Sequence, residues 1–203
     1  MAPQLFKVAS VATAVMLACA LAIGQNSRRT EVAAEGIGVS LVLPSGLEQF
    51  SAQKMALIRE KGIPAKFIFS DSSSDVMVVI NTFGNDANEK GLLKVEEEIK
   101  AAAQKHNASV EFLKRGVISM NGKKWLRLSL KEGTGEDASI DTYFVTDWAG
   151  AYVLLNFSAT VAKYEKYQSA FETSARSIQL ELIVDATEFD KNTVKRSGKK
   201  PSP

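Results

Sequence analysis

The chain has 203 residues, 45% of them hydrophobic, with 25 lysines and arginines against 23 aspartates and glutamates. Allowing for a leader and a tail, about 150 residues remain, enough for one domain with a real core, and the balanced charge excludes the one-sided basic surface that a phosphate backbone demands. One histidine, His106, and one cysteine, Cys19, exclude an internal disulfide and the usual protein-only zinc sites.

Residues 8–24, VASVATAVMLACALAIG, carry no charge and follow a short segment with Lys7. A basic start, an apolar stretch and small residues at its end form the pattern of a secretory signal. Ala20-Leu21-Ala22 and Ala22-Ile23-Gly24 both suit cleavage, so residues 1–24 are expected to be a signal peptide and the mature chain periplasmic or secreted. Two alternatives stay open. An uncleaved anchor needs the same apolar length. A lipoprotein would be acylated on Cys19, although Met16-Leu17-Ala18-Cys19 is an imperfect lipobox followed by more apolar residues.

Residues 25–35 read as a polar linker. Val39, Leu41 and Leu43 alternate into a first strand that Pro44-Ser45-Gly46 ends. Residues 47–62 fit a short helix or an irregular connection. Strands are expected at 64–70 and 76–83, and the second, apolar on both faces, belongs centrally in a sheet. Asn88 caps a helix to about His106, with Leu92, Val95, Ile99 and Ala102/Ala103 on one stripe. Strands at 109–119 and 123–131 flank Asn121-Gly122, a strong hairpin signal because both positions accept positive φ. Strands at 138–147 and 151–158 and a helix at about 161–178 follow. Beyond Leu182 the period is lost, and residues 183–203 read as a flexible basic tail carrying Lys191, Lys195, Arg196, Lys199 and Lys200. Tight hairpins require antiparallel pairing, and an apolar sheet face needs a cover. The fold class expected is therefore α+β, an antiparallel sheet covered by helices.

The chemistry-bearing residues are sparse. His106 has Lys105 and Asn107 as neighbours and nothing to activate its ring. Asp71-Ser-Ser-Ser-Asp75 lacks the alternation and glycine of a calcium loop and reads as a solvated turn. Gly133-Thr134-Gly135 lacks the lysine of a phosphate loop. Asn107-Ala108-Ser109 and Asn156-Phe157-Ser158 match a glycan acceptor pattern, the second within a core strand. Glu136, Asp137 and Asp141 are the only acids grouped as a carboxylate-dependent glycan hydrolase would need.

An aromatic surface is the least bland candidate, with Trp125, Tyr143, Trp148 and Tyr152 in one hairpin region. Alternation sets Trp125, Arg127 and Ser129 opposite Leu126, Leu128 and Leu130. If helices cover the leucines, Trp125 and Arg127 face outward, and Trp148 stands in a turn. Trp125, Arg127, Tyr143 and Trp148 are accordingly the expected partner-binding residues. In the competing account a second helix covers that same face and Trp125 is core.

The segments G-V-S-L-V-L-P-S-G at 38–46, N-G-K-K-W-L-R-L at 121–128, Tyr143-Phe144-Val145, A-Y-V-L-L-N-F at 151–157 and Ser174–Ile178 together resemble, over residues 36–182, the PsbP-like superfamily and the bacterial DcrB-like periplasmic proteins. The resemblance implies an α/β/α sandwich around an antiparallel sheet. It also implies a binding or assembly factor without shared catalytic residues, so no site residue is carried over. The expectation is a non-catalytic envelope module without cofactors. Its partner would be an envelope protein or complex and not nucleic acid, with peripheral membrane contact through the basic tail. N-terminal sequencing of the exported protein should begin at Gln25 or Ile23; a retained Met1 or an acyl group on Cys19 would overturn the cleaved-signal reading.

Overall fold

The computed structural model describes residues 28–34, 36–60, 65–84, 86–106, 109–183 and 195–196, and of Arg28, His106, Lys195 and Arg196 it describes the backbone alone. The expected signal segment, its cleavage sites and Cys19 lie outside the described residues.

Seven strands form one antiparallel sheet in the order β3-β4-β5-β9-β8-β7-β6. They are β3 (Glu48–Gln49), β4 (Phe67–Ser70), β5 (Val76–Phe83), β6 (Val110–Met120), β7 (Lys123–Glu132), β8 (Ser139–Trp148) and β9 (Ala151–Thr160). The strands from β6 to β9 meander through tight turns. At the first, Asn121 and Gly122 take φ of 52° and 72°, the twist that a two-residue hairpin requires. The two segments apolar on both faces, β5 and β9, pair with each other along their whole length at the middle of the sheet. Burial on both sides is what their composition specifies.

Each face has its own cover. On one, α1 (Ala52–Glu60) lays Met55 against Ile68, and α2 (Leu92–His106) lays Leu92 and Val95 on Leu126 and Val145 and Ala103 near Leu128 and Leu130. The expected cap of α2 is present: Asn88 Oδ1 accepts from the Gly91 N–H at 3.1 Å. Tyr152 presses so close to this turn that a Cβ on Gly91 would stand 1.8 Å from its hydroxyl, so only glycine fits without rearrangement. On the other face, α3 (Val161–Arg176) sets Phe171 and Ala175 into the main core.

A second sheet completes that core, ordered β10-β2-β1-β11, with β1 (Arg28–Ala34), β2 (Ile37–Leu43), β10 (Gln179–Leu182) and β11 (Lys195–Arg196). The layered α+β class holds, but β1, β2 and β10 share with α3 the work expected of one helix. This corrects the linker reading of 25–35: Thr30, Val32 and Ala34 alternate inward, a period masked by Arg28 and Arg29 before them and Glu31 among them. The expected basic tail lies outside the described residues except at Ile183 and at Lys195–Arg196, the latter pairing through its backbone with Glu31 and Thr30. A strand pairing there is not part of the tail reading.

Among the described strands the edge strand β6 pairs with β7 alone and leaves Phe112, Leu113 and Val117 exposed, with a bulge between Phe112 and Lys114. Lys100 lies 5.7 Å from the centre of the Phe112 ring. The Asp71–Asp75 turn is more than solvated. Lys163, in the first turn of α3, reaches Asp71 at 2.9 Å, Asp75 at 2.8 Å and Ser73 at 2.8 Å, tying the helix start to the β4–β5 turn.

Burial works against charge on Asp71, but hydrogen bonds from Lys163, Ser73 and the Val76 N–H outweigh it and hold its carboxyl below the ordinary 3.8. Hydrogen bonds from Lys163 and Ser73 likewise lower Asp75. Asp75 and Asp71 in turn push the Lys163 ammonium up to about 12. The folded carboxyls bind protons less readily than the unfolded ones. Their contribution is therefore complete above the unfolded value and fades as pH falls through the lower folded value, whereas the lysine's fades only as pH rises toward 12. Lys163→Met should then lose less of its urea midpoint than the wild type on acidification below about pH 4. Parallel acid limbs for the two proteins would contradict this clamp.

Candidate functional site

Three distant stretches of chain converge on one open cleft of about 480 Å³. The β6–β7 hairpin supplies Asn121, Lys123 and Trp125, the end of α3 and the following turn supply Arg176 to Ile178, and the second sheet supplies Arg29, Gln179 and Leu180. That volume lies in the range of sites that take small ligands or short segments of chain. Trp125, Ile178 and Leu180 are its apolar lining residues, the first two almost wholly buried, and Arg29, Lys123 and Arg176 add three cations. Among the described residues none of the three pairs with a carboxylate, and no acid lines the cleft.

The rim is held in place by hydrogen bonds. The Asn121 side chain donates to the carbonyls of Arg176 at 3.1 Å and Ile178 at 2.6 Å, so the hairpin tip closes the end of α3. Arg29 donates to Ser40 at 2.8 Å, Gln179 at 3.0 Å and the Ser177 carbonyl at 3.4 Å. These donors satisfy carbonyls that a helix C-terminus leaves open, and they remove negative potential from beside the cleft. Lys123 stands 3.9 Å from the centre of the Trp148 ring, at a distance where the ring face attracts a cation.

The four expected partner-binding residues do not form one surface. Trp125 is 1% exposed, packs in the main core and donates from Nε1 to the Met120 carbonyl at 3.1 Å. Its expected outward position is corrected: α3 and the second sheet cover that face, the arrangement of the competing account. It still contributes one wall of the cleft. Arg127, on the same face, is also turned inward. It is ion-paired with Glu172 of α3 and lies 5.5 Å from the centre of the Phe144 ring, so it joins helix to sheet. Tyr143 lies on the opposite face beside Leu128 and Ala103, where burial pushes its phenol well above the ordinary range. Tyr152 is on that face too, near Phe83. Trp148 is half-buried against the main core, and its Nε1 has no hydrogen-bond partner among the described residues.

The acids are similarly dispersed. Asp141 is buried on the α2 face, where Asn156 donates to one oxygen at 3.1 Å and Ser139 to the other at 2.9 Å. Glu136 and Asp137 are exposed on a single 3-10 turn, Gly135–Asp137. A second cleft of about 370 Å³ does hold two acids, Glu48 and Asp71, but Lys163 already occupies Asp71. Among the described residues no three His, Cys, Asp or Glu side chains gather to hold a metal. The side chain of His106 lies outside the described residues. Arg29, Asn121, Lys123, Arg176 and Gln179 are not among the expected site residues; the Asn121-Gly122 dipeptide signals a turn but not its place in the cleft.

An antiparallel sheet with helices on both faces and this meander defines the class: the fold is PsbP-like. No family model matches the sequence, and no curated protein matches it. The solution structure of cyanobacterial PsbP (CyanoP) from Synechocystis sp. PCC 6803 is similar over 78% of this chain and 96% of its own, with a TM-score of 0.57 at 15% identity. LpqN of Mycobacterium tuberculosis, described as involved in cell envelope biogenesis, aligns over 79% of this chain and 95% of its own, with a TM-score of 0.49 at 12% identity. The Saccharomyces cerevisiae Ran-binding protein Mog1p aligns over 81% and 100%, with a TM-score of 0.46 at 13% identity. At these identities the likeness to CyanoP extends to the fold alone, and the two weaker matches add nothing to it. None of these three structures represents the DcrB-like part of the resemblance.

Trp125 separates core from surface experimentally. Trp125→Ala should cost ~3–5 kcal/mol in urea unfolding, because it empties a packed interior site. An unchanged unfolding midpoint would return Trp125 to the surface.

Proposed function

We propose that the protein is a non-catalytic binding module of the cell envelope, exported by residues 1–24 and working in the periplasm or as a secreted protein on an envelope protein or complex. The observation that carries this reading is the cleft itself. It joins apolar side chains to fixed amide groups and to three cations that no described carboxylate pairs with, a combination suited to recognition. Acid–base chemistry has less to work with. Both oxygens of Asp141 are engaged, and Glu136 and Asp137 share one exposed turn. A glycan hydrolase needs two carboxyls facing each other across a cleft. That alternative therefore has weaker support than binding.

The charge-free run at 8–24 supports export. The near-balanced charge supports a protein partner over nucleic acid. The basic residues of 183–203 suit an added contact with an anionic membrane surface, worth about 1 kcal/mol per lysine or arginine near it.

Chemical cross-linking in intact cells, followed by purification, should yield a discrete complex in the extracytoplasmic fraction. The purified protein should release no sugar from envelope glycans. Release of reducing ends that Asp141→Asn abolishes would replace this proposal with the hydrolase.

A further inference from the structure

We infer that the cleft takes an extended, acidic peptide segment, laid along β10 with its carboxylates at Arg29, Lys123 and Arg176; this rests on the protein-binding reading above. Two independent features lead to it. The first is charge: three cations stand beside apolar side chains in one cleft, and among the described residues no carboxylate answers them. Arg29 in particular is pinned by Ser40, Gln179 and the Ser177 carbonyl, all uncharged, so its position is fixed while no carboxylate among the described residues pairs with it. An arginine held this way is set for a carboxylate before the ligand arrives.

The second feature is an open sheet edge on the same cleft. β10 pairs with β2 and with no other described strand. Beyond it, the Ile183 N–H bonds back to the Gly36 carbonyl at 2.8 Å. Strand alternation then turns the backbone groups of Leu180 and Leu182 toward the free side, and Leu180 lines the cleft. An incoming strand finds main-chain partners there and pockets for alternate side chains, the general mode of strand addition. A small anion would use the cations but not the edge. A peptide alternating acidic and apolar residues uses both, with its acidic side chains at the cations and its apolar ones beside Leu180.

The test uses the purified full chain and a fluorescent octapeptide alternating glutamate and valine, with its glutamine counterpart and inorganic phosphate as controls. The acidic peptide should bind, weaken with added salt, and slow amide exchange at Leu180 and Leu182. The pair Lys123→Gln and Arg176→Gln, both on the rim and outside the core, should reduce its affinity at least about tenfold. Arg29→Lys serves as a second variant that keeps the charge but loses the fork of hydrogen bonds, and it too should bind more weakly. Equal affinity for the glutamine peptide, or for the rim variant, would overturn the inference. So would displacement of the peptide by phosphate without change at β10, which would mark a small-anion site. If no peptide binds but a cross-linked partner contacts another surface, this inference fails while the binding reading stands. If neither is found, both fail.

Discussion

Phe171 meets Phe157 at 5.4 Å between ring centres, and around that contact a helix and two sheets close on one another. Each component is incomplete alone. β2 buries Val39 and Leu41 but belongs to a sheet of short strands, and the central sheet has one face that α1 and α2 never reach. α3 is the wedge that lets both sheets leave water together. Phe171 and Ala175 face the core, and the helix ends where the chain must turn back to add β10 beside β2. Burial of this size is the main stabilising term available to a fold with no disulfide among its described residues. The geometry of the cleft is a by-product of that closure, because its three walls belong to the three bodies that α3 brings together.

Much of the architecture is legible because it is local. The doubly apolar segments at 76–83 and 151–158 specify central strands, Asn121-Gly122 specifies a hairpin, and Asn88 specifies a helix start. In each case the physical cause lies within a few residues of its effect. β1 fails the same test. Its inward period of Thr30, Val32 and Ala34 is short and polar at one end, and only pairing with β2 makes it a strand. β11 is shorter still, two residues whose pairing depends wholly on β1.

The site is less legible, for a reason of the same kind. Trp125 and Arg127 were placed by strand alternation, and alternation is correct: they do lie opposite the leucines. What alternation cannot supply is how many layers the sheet has. With a cover on the second face, the outward tryptophan becomes interior and the outward arginine becomes the partner of Glu172. The cleft residues lie at positions 29, 121–125 and 176–180, and no spacing in the sequence links them. Asn121 illustrates the gap. Its turn is written in the dipeptide, but its hold on the Arg176 and Ile178 carbonyls exists only once the ends of the domain have met.

β6 raises a different matter, that of life in a crowded compartment. An eleven-residue edge with Phe112, Leu113 and Val117 in the open is a template on which a neighbouring chain could add a strand. The strand also carries what stands against such growth. The bulge after Phe112 breaks the register, Lys114 and Arg115 put two adjacent charges on the edge, and Lys100 sits over the Phe112 ring. Solubility in this molecule is therefore guarded at a handful of positions far from the cleft. Neutralising Lys114 and Arg115 would weaken that guard without touching the cleft.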